Sequence, residues 1–482
     1  MSRMRMARAL GLTVCALAFR AGPQAEEAEL IAQEAVAVVP VDAESRLSIR
    51  GFSGEISVRA GREAEVRFVS TVLGQPSKKV AVAVLLTGSV LTLEPAPATE
   101  EQPRTLEVVA DPRLFVQVSN SRGSVAGSGL QSGFEVTGQV IDVDVRGVSG
   151  PVQVTTTGGR TRIEGISGDV NLRLRSCAAS VSRIQGTLTV AVEDSTFDAA
   201  LLDEIEGEFR GSQWSLSDVK KPVVLRSTGG TAHVKGLALG GELRLTATAM
   251  VLSESKGDID IETDAELVFQ KTEASLHVNS FGGSVTGSGN QGLVEVRTDG
   301  SHVDLSEIAG PLRVQGDNLT LRVKGVSGEL FIDAKSSDLE IDGAGGVVSI
   351  VSKNSSVKLR NASQAVEVEC EGGQLEILEL RGSVDVNADS ERVLVAWAGQ
   401  PPAKASSVKN TGGSVEVQFP ANCQAQVDAE SRFGTIESEI ENLEINEAAS
   451  QAKGTLGNGP AAPVVRIVAD RDILITATAA AE

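Results

Sequence analysis

The feature that most constrains this chain is a regular recurrence of paired apolar residues, at a step of about 18 residues. From residue 303 one column of pairs recurs at this step: Val303 with Leu305, Leu321 with Val323, Leu339 with Ile341, and Val357 with Leu359. A second column does the same: Leu312 with Val314, Leu330 with Ile332, Val348 with Ile350, and Val366 with Val368. One polar residue separates the members of each pair, which is the pattern of a strand with one buried face. The period therefore predicts two short strands per unit.

A single unit cannot bury its apolar face alone, whereas a stack of units buries each column against its equivalents above and below. The same step holds for an apolar column and a glycine column at the expected corners: Ile308, Val326, Ala344 and Ala362, and Gly310, Gly328 and Gly346. We therefore predict an all-β fold, a β-solenoid with about 18 residues per coil, whose coils stack at the ~4.8 Å spacing of neighbouring strands.

The same columns occur a second time, earlier in the chain. Their members there are Val152, Val170 and Leu188, with Val148, Ile166, Ile184 and Leu202 at the corner and Gly150, Gly168 and Gly186 beside it. A glycine-rich string has the same offset, since residues 123–129 (GSVAGSG) recur as residues 283–289 (GSVTGSG). This indicates an internal duplication of about 160 residues, with one copy at 112–271 and the other at 272–430.

The composition agrees with a narrow interior. Aromatic residues make up 3% of the chain, tyrosine is absent, and 50 glycines are spread along its length. Large rings normally fill wide cores, so their scarcity favours thin coils packed with Val, Ile, Leu and Ala. The glycines favour many turns. Charged residues at 22% and apolar residues at 41% are typical of a folded chain.

The N-terminal segment 1–25 is typical of a signal peptide. Three arginines precede an apolar run, Ala9–Phe19, which is too short to span a bilayer, and Ala25 offers a cleavage site. We therefore predict an exported protein, located in the periplasm, on the outer surface or outside the cell. The formal charge of −20 predicts repulsion from nucleic acid. No later segment is long and apolar enough to predict a transmembrane span.

The segments outside the two copies are expected to cap the stack, because an open strand edge invites aggregation. Residues 26–111 are predicted to form a leader or short helix over 26–40, followed by a β cap region. Residues 431–482 are predicted to form a C-terminal β cap and tail. We also expect Ala388–Ser407, which carries Trp397 and two prolines, to break the register as a loop.

The order of these units resembles a known group. The opening residues 47–58, the Gly-x-Val-x-Val units such as 413–417, and the ending residues 454–475 are similar to the bacterial adhesin-like family of β-strand-repeat domains. The resemblance covers most of residues 41–475, and the ending is its more specific part. It implies an exported all-β solenoid with a role in adhesion, and it supplies no catalytic residues.

Two pairs of carboxylates are candidates for chemistry on an outer face. Asp142 and Asp144 project from one strand, as do Asp258 and Asp260, and paired carboxylates serve calcium binding or acid–base catalysis. An alternating, solvated strand face also explains both pairs, and it is the interpretation we favour. The first pair is expected to stack over arginines of the next coil, whereas no cation is expected beside Asp258 and Asp260. The second pair is therefore the better candidate for a surface contact.

Charges one coil apart are expected to pair across neighbouring strands. Asp144 precedes Arg162 by one coil, and Asp304 precedes Arg322 at the equivalent position of the second copy. Such exposed pairs contribute only about 0–1 kcal/mol each. They support the register and do not indicate catalysis.

The aromatic candidate for a partner contact is Trp397, which is expected to be exposed beside the prolines, whereas Trp214 is expected to pack at the core or an edge. The histidines fit no metal motif, and the cysteines lack zinc-ligand spacing, so no metal or cofactor is predicted. Either Cys370 and Cys423 form one disulfide in an oxidising compartment, or they and Cys177 stay buried as free thiols.

These patterns together contain no catalytic set. They predict a non-catalytic exported β-solenoid, an adhesin-like or envelope-associated scaffold that binds an unknown protein or cell-surface ligand. Two alternatives stay open: a solenoid lyase or hydrolase acting on polysaccharide, and a periplasmic structural or sensory element. Carboxylates and basic residues clustered in one groove would favour the enzyme, and charge-alternating faces would favour the scaffold.

Overall fold

The structure is a computed structural model that describes residues 29–96, 103–399, 404–457 and 462–478. This part of the chain is all-β, with 73% strand and no helix, and so it has no helix long and apolar enough to cross a membrane. The signal peptide expected at 1–25 lies outside the described residues. The chain divides into two compact units, residues 1–233 and 234–482, and each is described by itself.

The strands that precede the repeats pair mostly antiparallel. They are β1 (Glu29–Glu34), β2 (Val36–Pro40), β3 (Arg46–Ala60), β4 (Glu65–Val72), β5 (Gln75–Lys79), β6 (Val82–Thr87), β7 (Val90–Pro95) and β8 (Arg104–Ala110). β1 pairs with β6 and β2 pairs with β4, both antiparallel. The short helix expected at 26–40 is therefore wrong for residues 29–40, because long-range strand pairing overrides the helix propensity of Ala and Glu.

The first unit continues as stacked parallel coils. Its strands are β9 (Phe115–Ser128), β10 (Phe134–Arg146), β11 (Val152–Thr156), β12 (Arg160–Ile166), β13 (Val170–Arg175), β14 (Ala178–Glu193) and β15 (Thr196–Val219), and β16 (Val223–Leu237) begins in it. Each coil contributes one segment to each of two parallel rows. Row A contains residues 134–138, 152–156, 170–175 and 188–193, and row B contains residues 123–128, 141–146, 160–166, 178–184 and 196–202.

The backbone register of this unit confirms the predicted step. Val152 lies opposite Val170, and Val170 lies opposite Leu188, all three with their side chains buried. The register of β14 against β15 shifts between Ile184 and Thr187, so that Thr187 lies opposite Glu204. A bulge of this kind lets the stack absorb a coil that is one residue shorter without moving the buried columns to the other face.

The second unit stacks in the same way. Its strands are β17 (Gly240–Ser253), β18 (Asp258–Thr263), β19 (Leu267–Gln270), β20 (Ser275–Phe281), β21 (Ser284–Ser288), β22 (Val294–Asp299), β23 (His302–Ile308), β24 (Leu312–Asp317), β25 (Thr320–Val326), β26 (Leu330–Lys335), β27 (Asp338–Ala344), β28 (Val348–Ala362), β29 (Val366–Leu380), β30 (Val384–Asp389), β31 (Arg392–Trp397), β32 (Ser406–Asn410) and β33 (Ser414–Pro420). The predicted column of Val303, Leu321, Leu339 and Val357 is confirmed in direct register.

Residues with left-handed backbone turn the chain at one corner of these coils. Asn318 and Asn354 have φ of 55° and 51° there, and asparagine tolerates this region better than most residues. Within this corner the Leu319 N–H donates to Ser337 Oγ at 3.1 Å, and that hydroxyl donates to the Lys335 carbonyl at 2.7 Å. A buried serine thus satisfies backbone groups that the turn takes out of the strand ladder.

Glycines serve three different purposes in the stack. A Cβ at Gly168 would lie 2.6 Å from the carbonyl carbon of Gly150, so the glycine column reflects close backbone approach between coils. Gly129 has φ of 72° and turns a corner. Gly127 is different, because it lies within β9 and faces the ring of Phe134, where a Cβ would lie 2.6 Å from the nearest ring atom. The string at 123–129 therefore contains a packing glycine as well as a corner glycine.

The loop expected at Ala388–Ser407 is wrong over β31. Arg392 lies opposite Gln374 at the normal step, whereas the next residue in that row is Ser414, a longer step along the chain. The register of β31 itself shifts by one residue, since Leu380 lies opposite Trp397, and the longer step follows between Trp397 and Ser407. Residues 400–403 of that stretch lie outside the described part of the chain.

The C-terminal strands continue the rows and then reverse direction. They are β34 (Ala425–Ser431), β35 (Ile436–Ser438), β36 (Leu443–Ile445), β37 (Gln451–Leu456), β38 (Val464–Ala469) and β39 (Ile473–Thr478). β38 lies parallel between β32 and β34, whereas β37 lies antiparallel between β34 and β36. β36 is very short, spanning only Leu443–Ile445, and a short edge strand offers little backbone to a foreign strand.

The cysteines are buried free thiols at Cys177, Cys370 and Cys423. This confirms the free-thiol alternative over the Cys370–Cys423 disulfide. Burial raises the pKa of the Cys177 thiol and raises the pKa of Cys423 to about 11. Cys177 and Cys423 are therefore uncharged packing groups at neutral pH.

Candidate functional site

An open depression lies on the outer face of row B in the first unit. β9, β10, β12, β14 and β15 contribute to it because alternate residues of a strand project to the same face. Its volume is about 580 Å³. The polar side chains that line it include Asp142, Asp144, Arg160, Arg162, Ser180 and Asp198. Carboxylates and basic residues are thus clustered in one place, which the sequence alone predicted as neighbouring charges.

Both aspartates of the first predicted pair are already hydrogen-bonded. Asp142 Oδ1 accepts the backbone N–H of Arg160 at 2.8 Å. Asp144 accepts two bonds from the Arg146 guanidinium, at 2.8 and 2.7 Å, and this hydrogen-bonded pair raises the pKa of Arg146. The carboxylates are therefore held in place by the stack and are oriented as acceptors.

The residues of the expected cross-coil ion pairs are neighbours in the register, but their side chains pair with other residues. Asp144 lies opposite Arg162 and Asp304 lies opposite Arg322 in the register. Asp144 nevertheless pairs with Arg146, which follows it on the same strand, and Arg322 lies 3.8 Å from Glu340. A long guanidinium side chain reaches neighbours along the strand as well as across it, so register alone does not select its partner.

The two arginines that line the depression differ in their partners. Arg162 donates to Glu164 at 2.9 Å, and Glu164 also pairs with Arg183. Arg160 is exposed, and among the residues that the structure describes no carboxylate oxygen lies within 4.0 Å of its guanidinium. Asp142 contacts Arg160 through the Arg160 backbone N–H and not through its guanidinium. Arg160 is therefore a free cation beside fixed carboxylates.

The floor of the depression consists of small side chains. Ala126, Ala178 and Thr196 lie between the charged residues, and they leave the strand backbone close to the surface. At the far side Asp198 accepts a hydrogen bond from Ser215 Oγ at 2.6 Å. The arrangement offers one guanidinium donor, several carboxylate acceptors and a flat floor. Chemically it suits a ligand that carries both an anionic group and hydroxyl groups.

The sequence pattern pointed to Arg160 only as a neutralising neighbour and did not show that its guanidinium is free. The distribution of charge along the sequence would have drawn attention to the region around the depression. The segment 112–187 contains eight arginines and five acidic residues, a net of +3 within a chain of −20. Most of the depression comes from this segment, but Thr196 and Asp198 lie outside it, and the charged lining of two arginines and three aspartates has a net charge of −1.

Asp258 and Asp260 occupy exposed positions on β18 of the second unit. Asp260 lies opposite Glu242 on one side and His277 on the other, and His277 Nδ1 is 3.2 Å from Glu295. Within the described residues no group of three His, Cys, Asp or Glu side chains is arranged to hold a metal ion. The pair belongs to an alternating strand face, and its contact with a partner stays a prediction.

The expectation that Trp397 is exposed is wrong. Its side chain is 2% exposed, its ring stacks on Phe419 with centroids 5.3 Å apart, and its Nε1–H donates to the Gly382 carbonyl at 3.1 Å. The alternation of β31 places Trp397 inside the coil, which the nearby prolines obscured in the sequence. Trp214 is buried as predicted and stacks on Phe209.

Comparisons with known proteins do not indicate a function for this site. No protein family, curated protein or solved structure matches the chain. The functional conclusion therefore depends on the residues and geometry of the chain itself.

Proposed function

We propose that this chain is an exported, non-catalytic scaffold, adhesin-like or envelope-associated, that uses the outer face of its stacked strands to bind a ligand. The single observation that supports this most is the depression on row B, where a free guanidinium at Arg160 stands beside oriented acceptors. A binding site needs such preorganised donors and acceptors on a rigid element. Parallel coils supply that rigidity, because each strand is hydrogen-bonded to a neighbour on both sides.

The state of the carboxylates favours binding over turnover. Asp142 is held by a backbone amide, Asp144 by Arg146, and Asp198 by Ser215. Each of these contacts stabilises a fixed acceptor, whereas a general acid must hold a proton that it can donate. The surface charges also alternate in sign along the strands, as in the pairs Arg297–Glu295 and Arg244–Glu242 of the second unit.

Location is the first test of this proposal. The full-length chain would be expressed in the organism that encodes it, and protease accessibility would be compared on intact cells and in cell fractions. Cleavage on intact cells would support the adhesin-like form of the proposal, and recovery in the periplasm would support an envelope scaffold or sensory element. Recovery only in the cytoplasm, with the N-terminus uncleaved, would overturn export.

A polysaccharide-acting enzyme is the second candidate, and the clustering of Asp142 and Asp144 with two arginines in one depression favours it. The purified chain would be incubated with neutral and acidic polysaccharides, and their chain lengths would be followed by chromatography. Shortening that is lost in Asp142→Asn and Asp144→Asn variants would replace the scaffold with an enzyme. Unchanged chain lengths would count against the enzyme.

A further inference from the structure

We propose that the depression around Arg160 binds a carboxylate-bearing sugar, namely a uronate residue of an acidic glycan. This inference rests on the proposed binding function and names the class of its ligand. It depends on three features of row B in the first unit: an unpaired guanidinium, a lining of mixed charge, and a shallow floor surrounded by groups that can accept hydrogen bonds from sugar hydroxyls.

The guanidinium provides the first argument. Arg146 and Arg162 both lie near the depression, but Arg146 is engaged by Asp144 and Arg162 by Glu164. Arg160 has no carboxylate within 4.0 Å in the described part of the chain. A guanidinium presents parallel donors that match the two oxygens of a carboxylate. A ligand carboxylate is therefore the natural partner for this position.

Charge provides the second argument, because it limits the kind of anion that fits. The charged residues that line the depression are two arginines and three aspartates, a net charge of −1, so an anionic group is attracted at Arg160 and not across the whole depression. Asp142, Asp144 and Asp198 lie within the same depression and would repel a dense polyanion such as nucleic acid. A glycan with one carboxylate per sugar ring has a lower charge density than duplex DNA, so it can place one carboxylate at Arg160 with less repulsion from the aspartates.

The floor provides the third argument. Ala126, Ala178 and Ser180 are small, so a ring can lie against the strands without meeting a large side chain. Sugar hydroxyls need acceptors, and the oriented carboxylates of Asp142 and Asp198 supply them. An extended glycan can then follow the stack from one coil to the next.

The test is calorimetric titration of the full-length purified chain with oligogalacturonate at low and at physiological salt. Arg160→Gln should weaken binding about tenfold, because it removes a charge-assisted, bidentate contact. Arg173→Gln is the matched control, since Arg173 is also exposed on a strand of the same unit and no carboxylate lies within 4.0 Å of it among the described residues. It should change binding less than about twofold. Ala178→Glu, which places a carboxylate opposite Arg160, should also weaken binding at least about tenfold.

Two further ligands test whether binding requires the carboxylate of the sugar and whether any polyanion binds. Methyl-esterified oligogalacturonate, which lacks the charge, should bind at least about tenfold more weakly, and a DNA duplex should not bind. Absence of saturable oligogalacturonate binding, equal losses in the Arg160 and Arg173 variants, or tighter binding of DNA would overturn the inference. Export of a chain that does not bind uronate would overturn this inference and leave the scaffold proposal standing. Uronate binding by a chain that stays in the cytoplasm would support this inference and overturn the proposed export.

Discussion

Replacement of Gly127 by alanine should destabilise the coils around β9 and β10, although alanine is ordinarily better than glycine inside a strand. A Cβ at this position would lie 2.6, 2.8 and 2.9 Å from three ring atoms of Phe134. The ring is fully buried, so it has no open space into which it can turn. Overpacking of this kind costs about 1–3 kcal/mol, and the smaller backbone entropy of alanine offsets about 0.5–1 kcal/mol. The expected net loss is about 1–2 kcal/mol.

Hydrogen exchange measured on peptides from residues 115–146 would detect this loss locally, without requiring the whole chain to unfold in one step. A loss of about 1–2 kcal/mol corresponds to exchange about 5–30 times faster. Gly158→Ala in the same unit is the control, because the nearest atom to its Cβ would be the Gln139 carbonyl oxygen at 3.3 Å. Its exchange should change by less than about threefold.

A double variant with Phe134→Leu isolates the contact. Shortening the ring should relieve the clash, so the effect of Gly127→Ala should be smaller by about 1 kcal/mol in the Phe134→Leu background. Additive effects in this cycle, or unchanged protection in the Gly127→Ala variant, would refute the idea that glycine is present here to admit the ring.

Three other outcomes are expected. Asp111→Ala should cost about 2–3 kcal/mol, because Asp111 accepts bonds from Arg113 and from the Ala64 N–H. These contacts, Arg113 first, hold the pKa of Asp111 well below its usual range. Its stabilising effect is therefore complete above the unfolded pKa of about 3.9 and is lost as pH falls through the lower folded pKa. Urea titrations of the unsubstituted chain and the Asp111→Ala variant from neutral to acidic pH should show a shrinking difference in the free energy of unfolding. A difference that does not change with pH would contradict this role of Asp111. Cys423, with its pKa raised to about 11, should react with a thiol reagent at mildly alkaline pH only after unfolding, and rapid reaction of the folded chain would contradict its burial. Trp397→Ala should cost about 3–5 kcal/mol in thermal unfolding, whereas no loss would show that the stack on Phe419 is unimportant.

The repeat could be predicted from the sequence because burial acts on each coil in the same way. Val303 and Leu321 must face the interior at the same height of successive coils, so selection for apolar residues leaves a column that is visible at a fixed step. Charged residues on the outer face are not buried, so their positions are not held to a fixed step in this way. Asp144 gains about as much from Arg146 as it would from Arg162, and the choice depends on rotamers that a sequence does not record.

Local signals also failed where a distant strand decided the outcome. Residues 29–40 have a helix-forming composition, but β6 and β4 provide backbone partners for them, and pairing outweighs a preference of a few tenths of a kcal/mol per residue. Trp397 stands near two prolines and was expected to be exposed. Its place in β31, opposite Leu380 and against Phe419, puts it inside the coil.

The sequence by itself determined the all-β class, the step of the coils and the residues that fill the columns, because burial imposes a period that is written into the chain. Only the tertiary structure decided which charges find partners. The Asp142 carboxylate contacts the backbone N–H of Arg160 and leaves its guanidinium free, whereas Arg162 is engaged because Glu164 lies on the same face of its strand. A depression and its unpaired guanidinium arise from several coils at once, so no single segment of the sequence contains them.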